Sequence, residues 1–569
     1  MRSGVRSTVV ILIIAAFYLA WRPPHCIVWD DTSWASFNRY SNGGHYSFQN
    51  PRFFPDLLGE SFGQIQIDGY RPFNAIIRGT GAAWFADTNA NPWPFFLLTG
   101  LLLGLLAVLA FWVARGFTQT SLAAALAVFL FLASTPMLTG SLVVFAGIQA
   151  FVPILICSAW LTYQRSLISS RPWLWRGLLF LILFLSPWFR EFTGVMPVLI
   201  IVRELQRTRR PTPAMSLSGV AFLQALFPTA LVHLLFFKNL PVVPIHRLGN
   251  LAATLNHGGP AHSWKEALKQ LHWRIWLDLP SILPPTLFLL ALLGLVLCLS
   301  RRTEQTVRFW NDVAFLGFFF LTTFLPFLKL FNEQVHLAYC LLPLSILLMM
   351  LVEQAWNFAS GRGWRTVLAV AMTVVLMDHA ASFYAVRGAT GAIYASIHRL
   401  AVWFQTQTPA GTVVICNAHH IEDVRYYCHG HIDLLATAPG VIDRNRWVHT
   451  PELLRAALRA RPGRDVYLLD ARLPVSGGQR GADRAHYILA ERLLPVGEPI
   501  PVEGVRFVYP IFDPLRLLTP LKTMNWPGPP DLEFDFYRGP ALSGRWMVRE
   551  IALDYVLVKS EGSRLDVEN

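Results

Sequence analysis

Apolar and polar positions alternate along this chain on two different scales. Up to about residue 384 the apolar positions come in long runs, at Pro94–Ala114, Ser121–Pro136, Leu142–Thr162, Gly177–Val202, Ser216–Phe237, Ser281–Leu299, Val313–Leu328, Val335–Val352 and Trp364–Tyr384. Most approach the ~20 residues that cross a hydrocarbon core as helix. The opening stretch, Met1–Trp21, carries Arg2 and Arg6 before a short apolar run. No small-x-small cleavage site follows it, because Trp21-Arg22-Pro23-Pro24 comes next, so a retained first helix is expected. From Ala385 the scale shortens. GTVVICN (Gly411–Asn417) and RDVYLLDA (Arg464–Ala471) read as short buried strands, and GVRFVYPIF and YVLVK as further ones. PELLRAALRARPG repeats Leu and Ala at helical spacing and stops at Pro462-Gly463.

Charge orients the long runs. Arg115, then Arg165, Arg171 and Arg176, then Arg203, Arg207, Arg209 and Arg210, then Arg301, Arg302 and Arg308, and finally Arg362 and Arg365 mark successive cytoplasmic loops. One run conflicts with that assignment. Basic loops flank Gly177–Val202 on both sides, and a single span would separate them. The same run holds Pro187, the pair Arg190-Glu191, Gly194 and Pro197, so two short helices joined by a tight WFREFTG connection are expected; one kinked helix with a buried Arg–Glu pair is the alternative. The expected fold class is therefore mostly α: a polytopic helix bundle of about eleven passages over residues 1–384, followed by an extracytoplasmic α/β domain over residues 385–569, a size within the usual domain range. Two polar segments, residues 22–93 and 238–280, fall on the outer face together with WFREFTG.

Composition agrees with the pattern. The chain has 569 residues, 54% hydrophobic and 15% charged, against about 25% charged in ordinary soluble proteins, and its mean hydropathy is +0.41. The formal charge of +13 resides largely in short loops between apolar runs, which reads as topology and not as a nucleic-acid surface. Of six cysteines, Cys157, Cys298 and Cys340 lie in apolar runs as packing residues, while Cys416 and Cys428 share a polar segment and could pair. The stretch CNAHHIEDVRYYCHGH adds His419, His420, His429 and His431, at spacings that fit no zinc signature.

The outer polar segments hold the candidate chemistry. Asp30 and Asp31 follow the first helix within a few residues. A carboxylate there can take the proton of an attacking hydroxyl, or the pair can hold a divalent metal beside a phosphate; DDTSW also suits a helix N-cap. Arg71, Arg190, Lys329 and His336 are candidate ligands for an anion, arginine being favoured by its bidentate fork. Arg190 could equally pair with Glu191 or snorkel to the interface. KEALKQLHWRIWLDL, in the second polar segment, reads as an amphipathic helix on the outer leaflet, suited to lipid headgroups.

Taken in order, Asp30-Asp31, Tyr70-Arg71-Pro72-Phe73 and Asn91-Pro92 resemble the first-loop signature of GT-C fold glycosyltransferases, in particular the branch of protein O-mannosyltransferases with tetratricopeptide repeats. WFREFTG is similar to the Lys-Glu-x-x-Gly element of those families, with Arg190 in the lysine position. NEQVHLAYCLLPLS is similar to a Glu-Arg-x-x-Tyr-x-x-Pro element, with Gln334 and His336 where an arginine is expected. The resemblance covers residues 8–205 and, loosely, 280–355; the tail is not covered and no tetratricopeptide repeat is present. It implies an inverting hexosyl- or pentosyltransferase in a bacterial inner membrane, moving a sugar from a polyprenyl-phosphate carrier to a glycan, lipid or protein acceptor of the cell envelope. In that scheme Asp30, Asp31 and Glu191 are the acidic catalytic candidates, and Tyr70, Arg71, Arg190, Lys329 and His336 bind substrate. The resemblance fixes no cofactor, and a divalent metal remains open. A transporter or flippase for a lipid-linked sugar is the rival, although no internal repeat is visible and the acidic residues gather at one surface. A membrane-anchored binding protein with the tail as its interaction module is a third reading.

Overall fold

The computed structural model describes residues 2–20, 47–56, 73, 76–77, 79–81, 83, 93–134, 136–138, 150–189, 191–236, 279–300, 307–324, 338–359, 361–416, 421–436, 448, 450–472, 497–510, 512–513, 515, 548–551 and 554–560. The helices of the bundle are α1 (Arg2–Ala20), α2 (Trp93–Arg115), α3 (Ser121–Leu132), α4 (Phe151–Ile168), α5 (Pro172–Phe189), α6 (Val195–Thr208), α7 (Pro213–Phe236), α8 (Pro285–Ser300), α9 (Val307–Phe324), α10 (Ala338–Phe358) and α11 (Arg362–Gln407). Five stretches among the described residues are long and apolar enough to cross a membrane: Leu97–Arg115, Phe151–Ile168, Pro172–Phe189, Ala338–Phe358 and Arg362–Tyr384. Many large side chains on these helices, such as Leu97, Leu101, Trp112, Trp173, Leu181 and Val367, face outward, as expected where lipid and not water is the surrounding solvent.

Helix α10 is the centre of the bundle, buried along almost its whole length and packed by α3, α8 and α9. Its approach to α8 depends on Gly294: a Cβ there would lie 2.0 Å from the carbonyl oxygen of Leu351, so only a bare α-carbon lets the two backbones touch. Helix α1 joins the bundle through Leu12, Ala16 and Leu19, against α2 and α3.

The chain reverses at WFREFTG. Phe189, at the end of α5, stacks on Phe151 in the first turn of α4 (ring centroids 6.5 Å apart). A single 3₁₀ turn, Glu191–Gly194, leads into α6. Near the end of α6, Glu204 accepts a 2.7 Å hydrogen bond from Tyr163, close to the end of α4. Helices α5 and α6 therefore run in opposite directions, and the arginines before α5 and at the end of α6 share one end of the bundle. Pro197 sits in the first turn of α6, where a missing N–H removes no intrahelical bond.

That end, rich in arginine, is fastened by buried charge. Arg203 of α6 meets Asp312 of α9 at 2.5 Å, with the carboxylate 7% exposed, and its guanidinium lies over the rings of Phe117 and Phe315. Glu353 of α10, 6% exposed, accepts from the backbone N–H groups of Gln119 and Thr120 at 2.8 and 2.7 Å. Those groups belong to the start of α3 and have no helical partner of their own.

The largest departure from the expected layout is α11. It does not stop near Tyr384 but continues to Gln407, about 69 Å of unbroken helix at ~1.5 Å per residue. Its second half is a layer of the α/β fold. There β1 (Thr412–Cys416), α12 (Ile421–Tyr427), β2 (Ile432–Ala436), α13 (Pro451–Arg459) and β3 (Val466–Arg472) are followed by β4 (Ile500–Val502), β5 (Phe507–Pro510), β6 (Val548–Ile551) and β7 (Asp554–Ser560). The main sheet has the order β2-β1-β3-β7-β4, with β1, β2 and β3 parallel and β7 antiparallel to both neighbours; β5 and β6 form a separate antiparallel ribbon. Period-two alternation sends Val414, Cys416, Tyr467 and Leu469 into one core with Leu400 and Phe404 of α11. Val413, Ile415 and Val466 go to the opposite face, under Leu454 and Leu458 of α13.

Candidate functional site

At the opposite end of the bundle, by the α5–α6 reversal, one residue of the first-loop motif meets the WFREFTG turn. Phe73, the fourth residue of Tyr70-Arg71-Pro72-Phe73, stacks on Phe189 with centroids 4.6 Å apart and planes at 17°. Trp188 lies 6.2 Å from the same ring, and Phe151 completes a column of half-buried aromatics. The described positions between residues 73 and 83 are helical, with Gly79, Gly81 and Ala83 buried and the Thr80 hydroxyl donating to the Ile76 carbonyl at 2.7 Å. Offset or parallel aromatic contacts add about 0.5–1.5 kcal/mol to the burial of the rings themselves. The first polar loop is therefore attached to the WFREFTG turn by its own motif residue.

Among the candidate residues, Glu191 opens the 3₁₀ turn immediately after this stack. Thr193 in the same turn is 2% exposed. Asp30, Asp31, Tyr70, Arg71, Arg190, Lys329 and His336 lie outside the described residues, as do Asn91-Pro92, the side chain of Glu191 and the segment 238–278.

The aromatic column was not among the residues singled out from the sequence. Phe73 and Phe189 each sit inside a quoted motif, but pairing across that sequence distance leaves no local signal. A second omission is Asp378-His379, both buried within the apolar run Trp364–Tyr384. Ionisable residues are expensive in such a run and mark it for attention.

In the α/β domain, Cys416 ends β1 and Cys428 follows α12; both are buried thiols that form no disulfide with each other, and burial pushes the Cys428 thiol up. That burial disfavours the thiolate of Cys428. Burial, with the Asp423 carboxylate beside it, also holds the Tyr555 phenol well above its ordinary range. Among the described residues no three His, Cys, Asp or Glu side chains come close enough to hold a metal ion; His419 and His420 lie outside them. No family model matches the chain, and no curated protein matches it.

Proposed function

We propose that this protein is an integral-membrane, inverting glycosyltransferase that moves a hexosyl or pentosyl group from a polyprenyl-phosphate carrier to an acceptor hydroxyl. The observation that carries the reading is the Phe73–Phe189 stack. Arg71 precedes Phe73 by two residues and Arg190 follows Phe189 directly. The stack thus joins two distant stretches of chain that each carry an arginine beside the stacked ring in sequence. Such a pair suits a lipid-linked phosphate, which arginine binds through two oxygens at once.

In this mechanism the acceptor oxygen attacks the anomeric carbon as the bond from that carbon to the phosphate oxygen breaks. The electron pair leaves with the phosphate, which Arg71 and Arg190 stabilise as charge develops. Asp31 or Asp30 takes the acceptor proton, and Glu191 orients Arg190. Lys329, His336 and Tyr70 are secondary contacts to the carrier. The reading sets about eleven membrane passages, with the motif loops and the α/β domain outside the cytoplasm. The antiparallel run of α5 and α6 supports that layout, because it brings the flanking arginines to a common end.

The test is single replacement of Asp30 and Asp31 by Asn at unchanged protein level, with transfer from a polyprenyl-phosphate sugar as the readout. Loss of the base lowers the rate by about 10²–10⁴-fold in one of the two variants. Full transfer in both removes the proposed base. Movement of the lipid-linked sugar across vesicles without its release from the carrier would replace the enzyme reading with a transporter.

A further inference from the structure

The connection between β4 and β5 leaves the α/β domain and follows α11 back into the bundle. The Arg399 guanidinium donates to the Gly504 carbonyl at 3.3 Å. The Val505 N–H donates to the Ser396 hydroxyl oxygen at 2.7 Å. The Phe507 ring lies against Tyr384, with centroids 5.2 Å apart, and covers Gly388 so closely that a Cβ there would fall 1.9 Å from its Cζ. Farther on, the Asp513 N–H donates to Asp378 Oδ1 at 3.3 Å. The two lengths match. From Arg399 to Asp378 the helix descends about 31 Å at ~1.5 Å per residue, and Gly504 to Asp513 extends about 30 Å at ~3.3 Å per residue.

The far end of this segment is built into the bundle. Asp513 is fully buried and Asp378 is 1% exposed. Asp513 accepts from the Thr286 N–H at 3.1 Å, from the Thr286 hydroxyl at 2.9 Å and from the Leu515 N–H at 3.0 Å. Thr286 belongs to the first turn of α8, which Pro285 opens. The residues before it, Leu283 and Pro284, have no side chain able to accept from that turn. The α/β domain's polypeptide therefore supplies the N-terminal cap that α8 lacks locally, and its carboxylate favours the positive end of the helix.

We propose that residues 504–513 are a strap that fixes the register of the α/β domain on the bundle and transmits displacement of that domain to the first turn of α8, where the second polar segment ends. The domain is then a coupled part of the membrane machinery, not a separable module or a free lid. This inference stands independently of the glycosyltransferase reading.

Hydrogen exchange of the full chain in nanodiscs, read by mass spectrometry, tests it. Gly388→Ala pushes Phe507 away in the middle of the strap, and Phe507→Ala releases the same point without adding bulk. Asp513→Ala removes the cap itself. Each variant is expected to accelerate exchange about tenfold in peptides covering both 504–513 and the first turn of α8, with β1 and β3 unchanged. Faster exchange at the first turn of α8 in Asp513→Ala, together with wild-type exchange there in both mid-strap variants, would overturn the coupling. Uniform acceleration across β1, β3 and the bundle would also overturn it, since that is global loosening. Sugar transfer is not needed for any of these readouts, so failure of the functional reading leaves the result interpretable.

Discussion

The two ends of the helix bundle are held together by different physics. At the arginine-rich end, buried charges meet fixed partners: Arg203 with Asp312, Glu204 with Tyr163 and Arg207, and Glu353 with the start of α3. Apart from the Glu204–Arg207 pair within α6, these contacts join residues far apart in sequence, and they satisfy groups that would otherwise be stranded in a low-dielectric interior. At the opposite end the described contacts are mainly aromatic, from Phe73 through Phe189 to Phe151, beside one carboxylate brought in by the strap. Ring stacking tolerates small sliding movements that a buried charge pair does not. The comparison separates an anchored end, where polar groups serve the fold, from an end where substrate chemistry is proposed.

The largest effect expected from breaking this contrast is on stability, at the anchored end. Asp312→Ala leaves the Arg203 guanidinium without its main counter-charge in a largely buried position and costs about 3 kcal/mol, measured by SDS-induced unfolding in mixed micelles. Glu353→Ala strips two backbone N–H groups of their acceptor and costs about 2–3 kcal/mol. Glu353→Gln, with one acceptor oxygen in place of two, should fall between that variant and wild type in the same assay. At the other end Phe73→Ala should separate the two properties. Transfer is expected to fall by about 10²-fold, the scale of a misplaced binding group, while stability drops by only about 1–2 kcal/mol. Equal damage to stability at both ends would dissolve the distinction.

The smallest effect is expected away from both ends. Lys559 bonds Asp465 at 3.0 Å on the sheet surface, and that bond raises the lysine pKa above its ordinary 10.5. The stabilisation is therefore fully present below the ordinary value and is lost as pH rises through the raised one. Because the pair is exposed, Lys559→Met should change stability at neutral pH by no more than about 0.5 kcal/mol. It should also flatten the alkaline limb of the unfolding midpoint between pH 9 and 12, a range set on the order of the ordinary lysine pKa and its upward shift.

Much of the architecture could be read locally. The apolar runs locate most helices of the bundle to within a few residues, and β1, β3, β5 and β7 fall where alternating or continuous apolar residues mark them. The doubled helix at Gly177–Val202 follows from arginines on both flanks. By contrast, β2 was missed because Asp433 interrupts Ile432-Asp433-Leu434-Leu435. Its carboxylate meets Arg461 and Arg464, at 2.6 and 3.1 Å, contributed from beyond α13. The short strands β4 and β6 carry too few residues for any period to register.

For the candidate site the balance differs. The motifs Asp30-Asp31, Tyr70-Arg71-Pro72-Phe73 and Arg190-Glu191 were visible as residue types in order, since the proposed chemistry asks for particular functional groups whatever surrounds them. The attachment of one motif to another was not visible, because a stack between Phe73 and Phe189 has no signature in either neighbourhood.

The sequence by itself determined that this is a chain of many apolar helices, several long enough to cross a membrane, with a smaller α/β tail. Hydrocarbon length, charge asymmetry and side-chain period act residue by residue, and each leaves its mark locally. Only the tertiary structure decided that the tail begins inside α11, that the chain reverses at the aromatic column, and that α8 is capped by Asp513. Those outcomes depend on which distant groups satisfy one another. A helix continues past its apolar run when a sheet covers its next face, and an orphaned N–H accepts whichever carboxylate the fold delivers.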